Sequence, residues 1–182
     1  EAQNWFDRGL AWVNGFNHEE GATCFRRAVE IDPSCAMAHW GIALASGPFY
    51  NLPWEWLSEN EAETMLLTCH NAVQQALERS DVASPAEKAL IHALSQRYPA
   101  DQVISIEECQ QWDNAYADAM RAVHADFPED FDIIALFAEA MITRTPWKLW
   151  DIDRGEPPVG ADTLETLALL DTGLDLILER GD

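Results

Sequence analysis

The sequence predicts an all-α protein, about four helical hairpins forming a single domain over residues 1 to 182. Three observations carry this expectation. Apolar residues recur at helical spacing, and the alternation of valine, isoleucine and threonine that a strand needs is almost absent. Helix start signals punctuate the chain at regular intervals. A unit of two helices also recurs along it, though irregularly.

Eight helices are expected near residues 3 to 15, 18 to 31, 34 to 47, 58 to 79, 85 to 97, 105 to 126, 130 to 143 and 161 to 179. Asn17 or His18 begins the second, with Glu19 and Glu20 favourable at its positive end. Asp32-Pro33 closes it and leads into the third. Ser58 with Glu61 reads as a capping box opening the fourth, and Ser84-Pro85 supplies an N-cap and a first-turn proline for the fifth. Ser105 with Glu108 opens the sixth, and Asp162 with Glu165 the eighth.

Pairing the helices in order leaves short links between hairpins, around 32 to 34, 80 to 84 and 127 to 129. Within hairpins the first link, Gly15 to Asn17, is short. The others run about 47 to 57, 98 to 104 and 144 to 160, so three insertions fall at one point of the unit and are expected to project from one edge. Two of them, "SGPFYNLPWEW" and "TPWKLWDIDRGEPPVG", carry Trp54, Trp56, Trp147 and Trp150 with Phe49 and Tyr50. Long loops need a small core of their own, so these rings are expected to fold back onto the array. An aromatic rim that grips a ligand or neighbouring chain is the functional reading.

Trp5, Gly9 and Trp12 are followed by Gly21, Phe25, Ala28 and Pro33. This resembles the tetratricopeptide (TPR) pattern W-x2-L-G-x2-Y, A-x3-F, P over one unit, with Arg8 in place of leucine and Gly21 in place of alanine. Tyr116, Met120, Val123 and Pro128 echo its second half, and Ala72, Ala76 and Arg79 echo it one residue out of step. Two longer stretches, "GFNHEEGATCFRRAVEIDPSCAMAHWGIALASGPFYN" and "FPEDFDIIALFAEAMITRTPWKLWD", are similar to a bacterial, mostly uncharacterised family of longer TPR proteins. The resemblance implies a right-handed α-solenoid, and it implies that this chain is the N-terminal part of a longer array. The leucines at 164, 167, 169, 170, 174, 176 and 178 go round much of the last helix, where a capping helix should turn a polar face outward. A further repeat, a second subunit or the preceding loop is expected to cover it.

The formal charge of -21, from 32 acidic against 11 basic residues, argues against nucleic acid and anionic lipid as partners, because no basic patch offsets it. No apolar run reaches the ~18 residues that span a bilayer. Cysteines 24, 35, 69 and 109 form no CxxC pair and no small-domain disulfide rhythm, so reduced thiols and a cytoplasmic setting are expected. Motifs of hydrolases, nucleotide-binding loops and zinc proteases are missing; "HEEG" lacks the second histidine of HExxH. Asp130 with Asp132 and Asp151 with Asp153 are read as turn and cap residues rather than a calcium loop.

In the TPR family the first helix of each unit lines a concave groove. By resemblance, groove positions fall at Phe6, Leu10, Val13, Cys35, Ile42, Ser46, Ile134 and Met141. Cys35 and His39 share helical i,i+4 spacing, yet the other cysteines and histidines supply no ligand set, so packing is expected rather than a metal. His18 and Asn51 join the tryptophans on the inserted edge. The leading expectation is an interaction scaffold without a cofactor, binding an apolar peptide or helix from another protein or from its own chain. Two alternatives stay open: part of an enzyme, metal-dependent in one version, whose site later repeats complete; and a homodimer formed through the last helix.

Overall fold

The computed structural model describes residues 1–102 and 105–181. Among them are eight α-helices: α1 (Ala2–Asn14), α2 (His18–Ile31), α3 (Ala36–Ser46), α4 (Glu59–Glu78), α5 (Pro85–Arg97), α6 (Ile106–Asp126), α7 (Phe131–Thr143) and α8 (Thr163–Arg180). Two short 3-10 turns, Trp54–Trp56 and Ser80–Val82, complete the ordered backbone. No strand occurs among the described residues; the isolated bridges Phe49–Leu52 and Asp151–Glu156 each close a tight turn inside an inserted loop. Val103 and Ile104, in the link expected at 98 to 104, lie outside the described residues.

Most of the capping signals are realised. Asn17 accepts a hydrogen bond from the Glu20 amide, and Asp130 caps α7 through the Ile133 amide. Ser58 with Glu61 and Ser84 with Glu87 form reciprocal capping boxes, satisfying donors that the first helical turn leaves free. Asp162 departs from expectation. It makes no side-chain cap, because its carboxylate pairs with Arg144, while Glu165 takes a two-pronged bond from Arg121 at 2.8 and 3.0 Å. Both acids tie α8 to its neighbours instead of closing its own first turn.

Each helix packs on the next in sequence, and α1 packs on α3 and α3 on α5. Phe25 of α2 shows why the first three helices come so close. A Cβ on Gly9 of α1 would sit 2.6 Å from the Phe25 ring, and one on Gly41 of α3 would sit 2.5 Å away. The ring fills the space two glycines leave, so the missing side chains are what admit it. Gly21 plays the corresponding part at the α1–α2 crossing, where a Cβ would meet Val13 at 2.7 Å. From α3 onward one continuous core runs through Trp40, Leu66, Ile91, Met120 and Met141.

The link between α7 and α8 folds back along the molecule. Thr163 donates to the Leu149 carbonyl at 2.6 Å, and Arg144 reaches Asn114 of α6 at 2.7 Å. Ile134 of α7 packs against Gly173 of α8, 3.2 Å from where a Cβ would stand. The outer face of α8 remains uncovered, with Leu164, Leu167, Leu174 and Leu178 exposed. That matches the leucine-rich circumference read from the sequence.

Candidate binding site

Two cavities share one wall. The smaller, about 260 Å³, and the larger, about 430 Å³, are both lined by Val13 and Asn14 of α1, Leu44 of α3, and Ala135 and Leu136 of α7. They lie side by side in a concavity between α1, α3, α5 and α7. Phe6, Leu10, Met37, Trp40 and Leu90 make the larger cavity apolar, while Glu87, Asp130 and Asp132 set carboxylates at its rim. Trp40 is buried there with its indole Nε1 unpartnered, a free donor in an apolar wall.

Of the groove positions implied by resemblance, Phe6, Leu10 and Val13 line this concavity. The others lie elsewhere among the described residues. Ile42 packs on the Ala22, Phe25 and Ala45 cluster. Ser46 opens on the opposite side, with Leu52 and Thr68. Ile134 and Met141 are buried, Ile134 on α8 and Met141 beneath the Thr166 hydroxyl at 3.8 Å. Cys35 is the N-cap residue of α3 rather than part of its first turn, and the His39 ring binds the Pro33 carbonyl at 3.1 Å. The sequence spacing of Cys35 and His39 thus serves the α2–α3 junction, with the imidazole engaged by backbone.

The smaller cavity lies where the inserted edge meets the groove. Its entrance is aromatic. The His18 ring stacks on Phe49 at 3.8 Å with 12° between planes, and Phe16 and Tyr50 stand beside them. Phe16 holds φ 61°, a left-handed conformation that bulky residues rarely adopt, so the turn ahead of α2 is strained to present this ring. Burial lowers the pKa of His18 below its ordinary value, which keeps the imidazole neutral near pH 7.

Under the entrance lies a buried polar layer that sequence reasoning missed. Arg97, the last residue of α5, is 1% exposed and donates from Nε to Asp113 of α6 at 2.6 Å. Its guanidinium lies over the rings of Tyr98 and Tyr116, at 5.8 and 5.4 Å. Burial opposes the charge of Arg97, but Asp113, Tyr98, Glu139 and Tyr116 around it together outweigh burial and hold the group protonated. Glu139 of α7 completes the layer: one carboxylate oxygen accepts from Thr143 at 2.9 Å and the other has no partner. Arg97 and Glu139 both line the smaller cavity, and Arg97 Nη2 likewise lacks a partner. Asp113 and Thr143 face a third, polar cavity of about 210 Å³, with Glu55, Arg144 and Lys148.

A signal for Glu139 existed in the sequence, because it is the one charged residue between Asp132 and Arg144 in an otherwise apolar helix. Nothing local marked Arg97 and Asp113, whose pairing depends on α5 lying against α6. Tyr98 is fixed by another close approach, since its hydroxyl occupies the place a Cβ on Gly47 would take. Thiol chemistry finds no support here: burial pushes Cys69 up to about 12 and Cys109 up to about 11, so neither forms the reactive thiolate near neutrality.

The inserted loops do meet. Trp56 stacks on Trp147 at 6.1 Å, and Tyr50 lies 5.4 Å from Trp147. Trp54 is buried, while Trp56, Trp147, Trp150 and Asn51 stay exposed. One tryptophan therefore folds back as a staple, two stack on each other across the loops, and Trp150 stands exposed. No helix is long and apolar enough to cross a membrane, and no cluster of metal-ligating side chains occurs among the described residues. Comparison with family models, curated proteins and solved structures finds no match.

Proposed function

We propose that the chain is a TPR-like α-solenoid that acts as an interaction scaffold, holding an apolar peptide or helix in the concavity between α1, α3, α5 and α7. The observation that carries this reading is the shared wall of the two cavities. Alternate helices contribute it, and its surface is mostly aliphatic and aromatic. An open apolar concavity of this kind suits the face of an amphipathic helix, whose anchors recur at i, i+3, i+4 and i+7. The rim carboxylates and the charge of -21 favour basic residues on the partner's outer face.

Four free cysteines, three of them buried, suit a reducing compartment such as the cytoplasm. The direct test is calorimetric titration with a helical peptide carrying leucines at i, i+3, i+4 and i+7 and lysines between them. A scrambled peptide of the same charge separates groove binding from general attraction to an acidic protein. Binding by the patterned peptide alone supports the scaffold; equal heats from both peptides count against it.

A second reading, self-association through α8, has its own observation in the exposed leucines 164, 167, 174 and 178. It predicts a dimer in sedimentation that Leu174→Glu converts to monomer.

A further inference from the structure

We infer that the smaller cavity is a recognition site for an α-amino group with its neighbouring carbonyl oxygen, carried on an apolar side chain. Such a group is the amino terminus of a peptide or the head of a free apolar amino acid. The cavity's size comes first. At about 260 Å³ it falls just below the ~300 Å³ at which pockets for drug-sized ligands begin, so it suits one amino-acid-sized group. Its walls, from Leu44, Phe49, Leu136, Ile142 and Leu170, would enclose an aliphatic or aromatic side chain.

The polar groups decide the head. Three of the cavity's lining residues hold buried polar atoms without a protein partner: Arg97 Nη2, Glu139 Oε2 and His18 Nδ1. A buried polar atom left unpaired is costly, so a ligand that pairs Arg97 and Glu139 recovers what the free protein lacks. Arg97 can only donate and Glu139, as a carboxylate, can only accept. The ligand must therefore bring an acceptor and a donor close together, as the carbonyl and ammonium of an amino terminus do.

Charge selects between an amine and an acid. Asp113 pairs with Arg97, and Glu139 also acts on that guanidinium, so the floor holds two acids against one base. The whole chain adds its excess of 32 acidic over 11 basic residues. A free carboxylate entering here would be repelled, whereas an ammonium is attracted.

This inference stands on the cavity, and it touches the groove reading only in where a peptide chain would run after its first residue. The test uses the intact protein and leucinamide, which has the amine, the carbonyl and the apolar side chain but no carboxylate. Calorimetry or ligand-observed NMR should detect leucinamide binding. N-acetyl-leucinamide and free leucine should bind at least tenfold more weakly. Glu139→Gln should weaken leucinamide at least tenfold with unchanged melting, and Leu170→Trp, which fills the cavity from α8 and alters no charge, should abolish binding. The inference is overturned if the acetylated compound binds as well as leucinamide, if free leucine binds more tightly, or if the folded protein binds none of them. A peptide beginning with leucine that binds tighter than leucinamide identifies the source as a chain terminus lying in the groove. If peptide and leucinamide bind equally, the cavity assignment stands and the chain after the first residue does not run along the groove.

Discussion

Arg97 and Asp113 form an ion pair at 2.6 Å between the end of α5 and the middle of α6, with both side chains withdrawn from solvent. Taking either charge out of water is costly, and each is tolerated because the other is there. Removing one partner should therefore destabilise the protein by ~3–5 kcal/mol, the range for an uncompensated buried charge. Arg97→Met and Asp113→Leu made together should be much milder than either alone. Urea midpoints of the two single variants and the double variant form the cycle that checks this. Additive losses would mean the pair contributes nothing as a unit.

Phe25 held between Gly9 and Gly41 predicts an intolerance to a single methyl. Gly41→Ala places a carbon 2.5 Å from the ring, so something must shift, and overpacking of this kind costs ~1–3 kcal/mol. Phe25→Ala should cost ~3–5 kcal/mol by emptying the site. Gly41→Ala combined with Phe25→Leu should recover part of the sum. A thermal melt in which Gly41→Ala matches the wild type would mean α3 can slide freely on α2.

Stability should also fall on mild acidification, before the carboxylates with lowered pKa values titrate. His18 and His39 both have pKa values lowered by burial, from about 6.5 in the unfolded chain. A depressed folded value means that the unfolded state binds more protons between the two values. The contribution is complete above about pH 6.5 and is lost as pH drops through the folded pKa. Glu61 and Glu165, lowered by the Ser58 and Arg121 hydrogen bonds, add a further loss only in the carboxylate range. Urea midpoints at pH 7.5 and 5.5 should differ, and His18→Gln with His39→Gln should flatten that difference. An unchanged slope would rule out these histidines as its source.

The stacked rings of Trp56 and Trp147 hold two loops that are distant in sequence. Trp147→Ala should forfeit ~0.5–1.5 kcal/mol of pair energy and should speed amide exchange in both loops together. Exchange that quickens only around residue 147 would show that the loops are held independently.

The helices were legible because their signals are local. Asn17, Ser58, Ser84 and Asp130 each cap a helix that begins where the sequence says, since a cap needs only a side chain and an amide three residues on. The alignment of the inserted loops was legible too, because Trp56 meets Trp147 from two of the three insertions. The proposed binding surface was legible only in part. Phe6, Leu10 and Val13 reach the concavity, but Ile134 and Met141 are covered by α8, whose docking no local pattern reveals. Glu139 stood out in an apolar helix, but Arg97 and Asp113 depend on α5 meeting α6, and a charged residue in a mixed helix looks the same whether it faces water or a partner.

The central claim is that the concavity between α1, α3, α5 and α7, rather than the outer leucines of α8, is where this protein takes its partner. The most direct test titrates the leucine-patterned, lysine-bearing helical peptide into two folded variants, Leu136→Glu in the wall common to both cavities and Leu174→Glu on the exposed face of α8. The account predicts that Leu136→Glu weakens binding at least tenfold, which is about 1.4 kcal/mol, and that Leu174→Glu leaves it unchanged. Loss with Leu174→Glu and none with Leu136→Glu would contradict it.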